Sequence, residues 1–276
     1  MLKSRVITAI ILLVLLLLAL FALPAAGWAM LVVIMVLQGS SEWAKLSKLT
    51  GRKATVFWGL TLVMMLALVW FDATHTAEQQ VMLHLLVYAV SALLWLIIVP
   101  TWMIVGWKVE QPLLMALVGW AVLIPTGLAM LDLRAASPSP WILLFVMGLV
   151  WVADISAYFA GRRFGKNKLA PSISPGKTWE GVAGAILGVT GYVVVVWSFS
   201  PYFIQREVLP VLLLASWWWV GLAVIGDLFE SAIKRQAGVK DSGALLPGHG
   251  GLLDRIDALT STLPLAALAM LLQRVS

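Results

Sequence analysis

The chain consists mostly of long apolar runs that alternate with short polar segments. Each run approaches the roughly 20 residues that an α-helix needs to cross the hydrocarbon core of a bilayer. A transmembrane β-barrel would instead show segments of about ten residues with alternating polarity, and residues 10–20 do not alternate. The pattern predicts an all-α fold, a polytopic transmembrane helical bundle. We expect nine spans, at about residues 6–23, 25–38, 54–71, 81–100, 112–131, 141–160, 179–199, 208–227 and 252–272.

The first apolar run also has features of a secretory signal peptide. Lys3 and Arg5 precede it, and small residues follow Pro24. However, the run is longer than a usual signal core, and a second apolar run follows at once. We therefore favour a helical hairpin over a cleaved leader.

The composition supports a membrane environment. The 276 residues are 62% hydrophobic and only 12% charged, whereas a water-soluble domain carries about 25% charged residues. The chain has no cysteine, which excludes disulfides, thiolate metal sites and a cysteine nucleophile.

Basic residues are distributed unevenly between the two sides of the predicted bundle. With the N-terminus in the cytoplasm, all of the 19 Lys and Arg residues except Arg134, Arg206 and Arg274 lie on the cytoplasmic side. This asymmetry follows the positive-inside rule. It predicts a cytoplasmic N-terminus and, after nine spans, a periplasmic C-terminus.

Polar residues divide the chain into two regions. The first five spans carry few polar residues, whereas ionisable residues and glycines crowd the ends of spans from Asp154 onward. We expect residues 1–140 to form an N-terminal scaffold region and residues 141–276 a C-terminal catalytic region, within one integrated membrane domain.

Carboxylates occur on two helical faces near the C-terminus. If residues 208–235 are helical, that helix is about 42 Å long and extends past the hydrocarbon core. One face of its last turns carries Asp227, Glu230, Ser231 and Lys234, and one face at the start of the ninth helix carries Asp254, Asp257 and Ser261. We expect the two faces to meet at one membrane edge. Salt bridges such as Glu230 with Lys234 are one explanation, and a Mg²⁺ site is the other.

The loop between these helices is rich in glycine. Its glycines would let backbone N–H groups approach an anion, and Lys234, Arg235 and Lys240 supply positive charge. A flexible turn is the alternative. His249 could be a general base, a metal ligand, a phosphate donor or none of these.

A second group of polar residues surrounds the sixth and seventh spans. Asp154, Tyr158 and Arg162 share a helical face. We expect Ser174 to cap the seventh helix, so that its N-terminus and Lys177 form a phosphate site. A P-loop is rejected because Pro171 stands where that motif needs glycine, and because no strand is expected before it.

Residues 231–257 resemble the signature of the phosphatidate cytidylyltransferases, the CDP-diacylglycerol synthases. The matching positions are Ser231, Lys234, Arg235, Lys240, Asp241, Gly243, Leu246, Pro247, His249, Gly250, Gly251, Asp254, Arg255 and Asp257. Residues 154–162 and 174–181 are similar to other blocks of the family. The detailed resemblance covers roughly residues 150–260, and the first 140 residues match only in being hydrophobic and multi-spanning.

The resemblance implies a reaction in which CTP and phosphatidic acid give CDP-diacylglycerol and pyrophosphate. It implies a Mg²⁺ requirement, a K⁺ beside the Mg²⁺, a homodimer and a bacterial inner membrane. Because one substrate is soluble and the basic residues mark the cytoplasmic side, we expect the active site to face the cytoplasm. The resemblance places Asp227 and Asp254 at the metal, and Asp257 and Asp241 are weaker candidates.

Both reactants are anions, so catalysis depends on positioning and charge neutralisation. The residues expected to act in catalysis are Asp227, Asp254, Lys240 and His249. Those expected to bind substrate are Ser174, Lys177, Thr178, Arg162, Ser231, Lys234, Arg235, Gly250, Gly251 and Arg255.

Two other functions stay open. A CTP-dependent lipid kinase would transfer the γ-phosphoryl group to an alcohol and would need a base such as His249. A transporter would use intramembrane carboxylates as a pathway, but these are usually near the bilayer midplane. No nucleic-acid partner is expected.

Overall fold

The fold is a bundle of helical rods with a short β-hairpin at its edge. The computed structural model describes residues 2–136, 140–199, 209–245 and 250–275. The helices are α1 (Leu2–Ala22), α2 (Ala25–Leu46), α3 (Arg52–Thr74), α4 (Ala77–Leu93), α5 (Val99–Val105), α6 (Pro112–Ala135), α7 (Trp141–Phe164), α8 (Trp179–Phe199), α9 (Leu209–Ala237) and α10 (Leu253–Val275). The π-helical turn Leu94–Ile98 joins α4 and α5 into one rod.

The predicted all-α polytopic bundle is confirmed. Among the described residues, eight rods are long and apolar enough to cross a membrane, and α1 contributes the shorter apolar segment Ile10–Ala22. Proline and glycine set several boundaries, since proline lacks the N–H that continues a helix. Pro24 lies between α1 and α2, Gly106 ends α5 in the left-handed conformation, and Pro112 begins α6.

The second helix is longer than we expected. We placed its end near residue 38, but α2 continues to Leu46. The polar residues after Gln38 do not form a loop, because Ser40 and Glu42 are buried against neighbouring helices. Polar side chains in a membrane protein usually face the bundle interior, and this is why an interruption of the apolar run was misread as a helix end.

Helices α6 and α10 form the centre of the bundle. About two thirds of each apolar segment is buried, and both pack in the core formed with α2 and α4. Helices α3 and α8 are far more exposed, as expected for rods that face lipid. Helix α10 is therefore packed against neighbouring helices on several sides.

Helices α7 and α8 pack closely against each other, and small residues allow this approach. Gly184 and Gly188 of α8 lie against Ala160 and Ser156 of α7, and a Cβ added at either glycine would overlap those side chains. Small residues spaced four apart let membrane helices approach closely. This contact holds α8 closely against α7.

Gly184→Val is expected to destabilise the protein by about 1–3 kcal/mol, the usual cost of overpacking a close contact. The matched control is Gly191→Val on the same helix, where an added Cβ meets nothing within 4 Å. Thermal unfolding in detergent measures both variants. Equal midpoints for the two would contradict the close α7–α8 contact.

The segment before α8 differs from our expectation. Residues Ser174–Thr178 form strand β2, which pairs antiparallel with strand β1 (Lys168–Ala170), and α8 begins only at Trp179. A residue that precedes proline is disfavoured in the helical region, so Pro175 keeps Ser174 extended. The N-cap is Thr178, whose Oγ1 accepts a hydrogen bond from the Gly181 N–H at 3.1 Å. The prediction of Ser174 as the cap was wrong.

The prediction that no strand precedes Gly176-Lys177-Thr178 was also wrong, because β1 lies there. The strand belongs to a local hairpin and does not enter a parallel sheet. Pro171 still occupies the position that a P-loop gives to glycine, so that interpretation stays rejected.

Candidate functional site

The polar residues of the C-terminal half meet at one end of the bundle. The last turns of α9, the first turn of α10, the β1–β2 hairpin and the end of α2 all lie there, because successive rods alternate in direction. We call this the α9–α10 end. The loop residues 246–249, including His249, lie outside the described residues.

A cavity of about 460 Å³ opens between α7, α9 and the hairpin. Its polar lining consists of Asp154, Tyr158, Arg162, Ser174, Lys177, Thr178 and Asp227. The central contact is an ion pair of 2.6 Å between Lys177 Nζ and Asp227 Oδ2, both half-buried. Asp227 Oδ1 also accepts a hydrogen bond from the Ser231 hydroxyl at 3.3 Å. The cavity therefore combines two carboxylates with two cationic side chains.

The hairpin places Lys177 opposite Asp227. Thr178 lies opposite Lys168 in the strand register, and the Trp179 N–H donates to the Asn167 carbonyl at 3.0 Å. Glu180, in the first turn of α8, also stabilises the hairpin, because its carboxylate accepts hydrogen bonds from the backbone N–H and the side-chain amide of Asn167. Lys177 therefore lies on a short strand, β2, that packs against α7, α8 and α9.

The α7 face predicted from sequence lines the same cavity. Arg162 donates to the Tyr158 hydroxyl at 3.0 Å, and Asp154 lies two turns before Arg162. Asp154 was singled out by its spacing but was given no role. The structure brings it to the cavity that holds Asp227.

The two carboxylate faces of α9 and α10 meet as predicted. Lys234 of α9 is 8% exposed and joins them, with its Nζ 2.6 Å from Asp254 Oδ1 and 3.3 Å from Glu230 Oε1. The salt-bridge explanation for Glu230 and Lys234 is therefore present in the structure. Asp257 lies one turn further along α10 and accepts a hydrogen bond from the Ala258 N–H.

Asp254 is held by a dense set of donors. Its Oδ1 accepts a hydrogen bond from the Lys234 ammonium, and its Oδ2 accepts hydrogen bonds from the Ser242 N–H at 2.9 Å, the Ser242 hydroxyl at 2.9 Å and the Gly251 N–H at 2.8 Å. Gly250 has a φ of 80°, which glycine adopts readily, and this turn directs the chain back toward the Asp254 carboxylate. Asp254 therefore ties the glycine-rich loop to α10.

Several other predicted residues lie apart from the cavity. Lys240, Asp241, Arg235 and Arg255 are exposed, and the Arg235 guanidinium donates to the Val239 carbonyl. Arg235 also lines a larger groove of about 980 Å³, between the ends of α2, α5 and α9 and the hairpin turn. That groove does not share lining residues with the Asp227 cavity.

Glu42 also lies at this end of the bundle, although it was not predicted as a site residue. The side chain reaches from α2 to the loop and to the start of α10, where it accepts hydrogen bonds from the Leu252 and Leu253 N–H groups. A signal was available, because an acidic residue within an apolar run is costly unless it has partners. We had placed it in a loop, where a charge needs no partner.

One group of three residues has metal-ligand spacing within the described part of the chain. Ligand atoms of Asp72, His84 and Asp132 all lie within 4.8 Å of one another. His84 Nε2 is 2.9 Å from Asp72, and Nδ1 is 2.9 Å from Asp132, which also accepts from the Tyr88 hydroxyl. These residues lie at the far ends of α3 and α6 and near the start of α4, which is the opposite end of the bundle. They cannot act on a substrate beside Asp227.

Comparisons with known proteins identify the family of this chain. A model described as "Cytidylyltransferase family" matches residues 3–273. A phosphatidate cytidylyltransferase of Haemophilus influenzae is 38% identical over 283 residues, covering 96% of each chain. One of Pseudomonas aeruginosa is 37% identical over 268 residues, covering 97% of this chain and 96% of the relative. One of Thermotoga maritima is 42% identical over 130 residues, or 45% of this chain and 46% of the relative. This chain, a multi-pass membrane protein, belongs to the cytidylyltransferase family.

Proposed function

We propose that the protein transfers the CMP moiety of CTP to phosphatidic acid, giving CDP-diacylglycerol and pyrophosphate for phospholipid biosynthesis. The observation that carries the proposal is the cavity at the α9–α10 end, where Lys177 pairs with Asp227 beside Asp154 and Arg162. The names of the bacterial relatives support the same reaction.

The reaction balances without a protein nucleophile. An ionised oxygen of phosphatidic acid forms a bond to the α-phosphorus of CTP, and the bond from that phosphorus to the bridging oxygen breaks. Pyrophosphate leaves with the electron pair. Transfers of this kind are catalysed mainly by positioning and by stabilising charge on the phosphate oxygens. Lys177 and Arg162 supply cationic charge at the cavity, and the hydroxyls of Ser174 and Thr178 lie beside them.

The donor groups of the cavity fit a Mg²⁺ ion. Mg²⁺ binds hard oxygen ligands, usually one or two carboxylates together with substrate phosphates. Asp227 and Asp154 would hold it, and the ion would neutralise charge on the reacting phosphates. The ion pair between Asp227 and Lys177 would then weaken, because the Asp227 carboxylate would also bind the metal.

Asp254 has a different environment from Asp227. Its Oδ2 accepts three hydrogen bonds, from Ser242 and Gly251, and its Oδ1 accepts one from Lys234, so a direct metal contact would use the remaining lone pair of Oδ1, beside the Lys234 ammonium. A metal role for Asp254, and weaker ones for Asp257 and Asp241, stay proposals, as does a K⁺ beside the Mg²⁺.

The roles of the remaining predicted residues are also proposals. Lys234 supports Asp254 through its ion pair, and Ser231 supports Asp227. The exposed cations of the loop and helix ends would attract phosphates from solvent, and they are Arg235, Lys240 and Arg255. Gly250 and Gly251 shape the loop, and in this conformation the Gly251 N–H is directed at Asp254.

The proposed setting follows from the charge distribution. The excess of Lys and Arg at the α9–α10 end favours a cytoplasmic location for this end, in a bacterial inner membrane. Soluble CTP would then reach the cavity from the cytoplasm, and phosphatidic acid from the bilayer. A homodimer, and the division into a scaffold region (1–140) and a catalytic region (141–276), belong to the same proposal.

Product analysis tests the function directly. Detergent-solubilised protein incubated with Mg²⁺, CTP and phosphatidic acid is expected to release pyrophosphate and to form a lipid that contains CMP. Release of CDP with a diacylglycerol acceptor would instead identify a lipid kinase. Absence of any nucleotide turnover would overturn the proposal and leave transport as the alternative.

A further inference from the structure

Glu42 is a buried carboxylate that the proposed reaction leaves without a role. It lies on α2, in the half of the chain that carries few polar residues, and it is 1% exposed. Its oxygens accept hydrogen bonds from Gln38, Ser242, Leu252 and Leu253 at 2.8–2.9 Å. An isolated carboxylate at this depth would be very costly, so these partners account for its presence.

Two of these bonds hold the start of α10. Glu42 Oε1 accepts from the Leu252 N–H, and Oε2 accepts from the Leu253 N–H, each at 2.9 Å. The first N–H groups of a helix have no partner within the helix, and their aligned dipoles favour an anion. Glu42 therefore caps the N-terminus of α10, although it precedes Leu253 by 211 residues in the sequence.

The glycines of the loop make room for this carboxylate. A Cβ added at Gly243 would lie 3.0 Å from Glu42 Cδ and Oε1, and one at Gly251 would overlap the Glu42 carboxylate itself. Gly243 and Gly251 therefore allow the backbone on both sides of residues 246–249 to lie close to Glu42.

Ser242 connects Glu42 to Asp254. Its hydroxyl lies 2.8 Å from Glu42 Oε2 and 2.9 Å from Asp254 Oδ2. One hydroxyl has one proton, so it can donate to only one of the two carboxylates at a time. The position of Asp254 is thus coupled to Glu42 in two ways. Both carboxylates share the Ser242 hydroxyl, and Glu42 binds the backbone N–H groups of Leu252 and Leu253, which directly precede Asp254.

We propose that Glu42 is a positioning residue, which fixes the loop 241–245 and the first turn of α10 so that Asp254 is held beside Lys234 at the site. The inference rests on the proposed function, and it adds a residue of the N-terminal half to the machinery. Glu42 does not line the Asp227 cavity, so it acts through Asp254 and the loop.

The test uses Glu42→Gln in the full-length protein. Glutamine keeps the volume but has only one acceptor oxygen, so one of the two N–H groups of Leu252 and Leu253 loses its partner. We expect kcat to fall about 10- to 100-fold, the usual effect of removing a group that orients a site residue, with the KM for CTP changed by less than about threefold. Glu78→Gln, an exposed residue at the opposite end, is the matched control and is expected to keep full activity.

A second measurement separates positioning from general stability. In a double-mutant cycle with Ser242→Ala, the losses in kcat are expected to be less than additive, because both changes disrupt the same link to Asp254. Hydrogen exchange is expected to be faster at the amide that loses its partner in Glu42→Gln, either Leu252 or Leu253, while the thermal unfolding midpoint stays close to that of the wild type.

Three results would overturn the inference. Normal kcat in folded Glu42→Gln would show that the contact has no bearing on the reaction. A strongly lowered unfolding midpoint, with normal kcat in the remaining folded protein, would show a structural role alone. Failure of the wild-type protein to turn over CTP and phosphatidic acid would remove the proposed function itself, and the inference with it.

Discussion

Replacing Asp227 with asparagine is expected to lower kcat by about 10³-fold, the size of effect seen when a group that stabilises transition-state charge is removed. Asp227 lines the cavity, and its Oδ2 lies 2.6 Å from Lys177 Nζ. Asparagine has nearly the same shape but no charge, so it would weaken both the proposed Mg²⁺ site and the alignment of Lys177. The fold is expected to survive, because the half-buried side chain packs at the rim of a cavity.

The measurement is pyrophosphate release at saturating CTP over a range of Mg²⁺ concentrations. Glu78→Gln, which removes a carboxylate at the opposite end, is the control for a general effect of lost charge. If Asp227→Asn kept wild-type turnover at every Mg²⁺ concentration, the placement of the metal and of the reaction in this cavity would be wrong.

The second large effect is expected for Lys177→Met, with a loss in kcat of about 10²-fold or more. Methionine keeps much of the length and removes the cation, so Asp227 loses its ion-pair partner and the phosphates lose a positive group. Lys177→Arg is expected to recover part of the activity, since it restores the charge with a different geometry. Steady-state kinetics with CTP and with phosphatidic acid measure both variants.

The control for this series is Lys168→Met. Lys168 lies on the partner strand of the same hairpin, is exposed and does not line the cavity. We expect it to retain nearly full activity. An equal loss in Lys168→Met and Lys177→Met would mean that the hairpin acts through its overall charge, and the specific pairing with Asp227 would then have no special importance.

The sequence predicted the site helices well, because their signals are local. The spacing of Asp227, Ser231 and Lys234 defines one helical face regardless of what packs on it, and the structure directs this face toward α10 and the hairpin. The start of α8 was misread for an equally local reason, since Ser174 and Pro175 resemble a helix start but form a strand.

The partners of these residues could not be read from spacing. Asp227 and Asp254 look equivalent in the sequence, as acidic residues at the ends of adjacent helices. In the structure Asp227 lines the cavity with Lys177, whereas Asp254 accepts hydrogen bonds from the loop and from Lys234. Which carboxylate faces open space depends on how α7, α9 and the hairpin pack.

Long apolar runs were sufficient to predict a bundle of helical rods with the membrane as their solvent. In a bilayer each backbone N–H and C=O must find its partner within the same helix, so an apolar run of sufficient length decides its own structure. Tertiary structure alone decided which charges meet. The contact of Glu42 with the start of α10 joins residues more than 200 positions apart, and the Lys177–Asp227 pair joins a hairpin to a helix. Such contacts arise from packing between elements, and no local pattern in the chain encodes them.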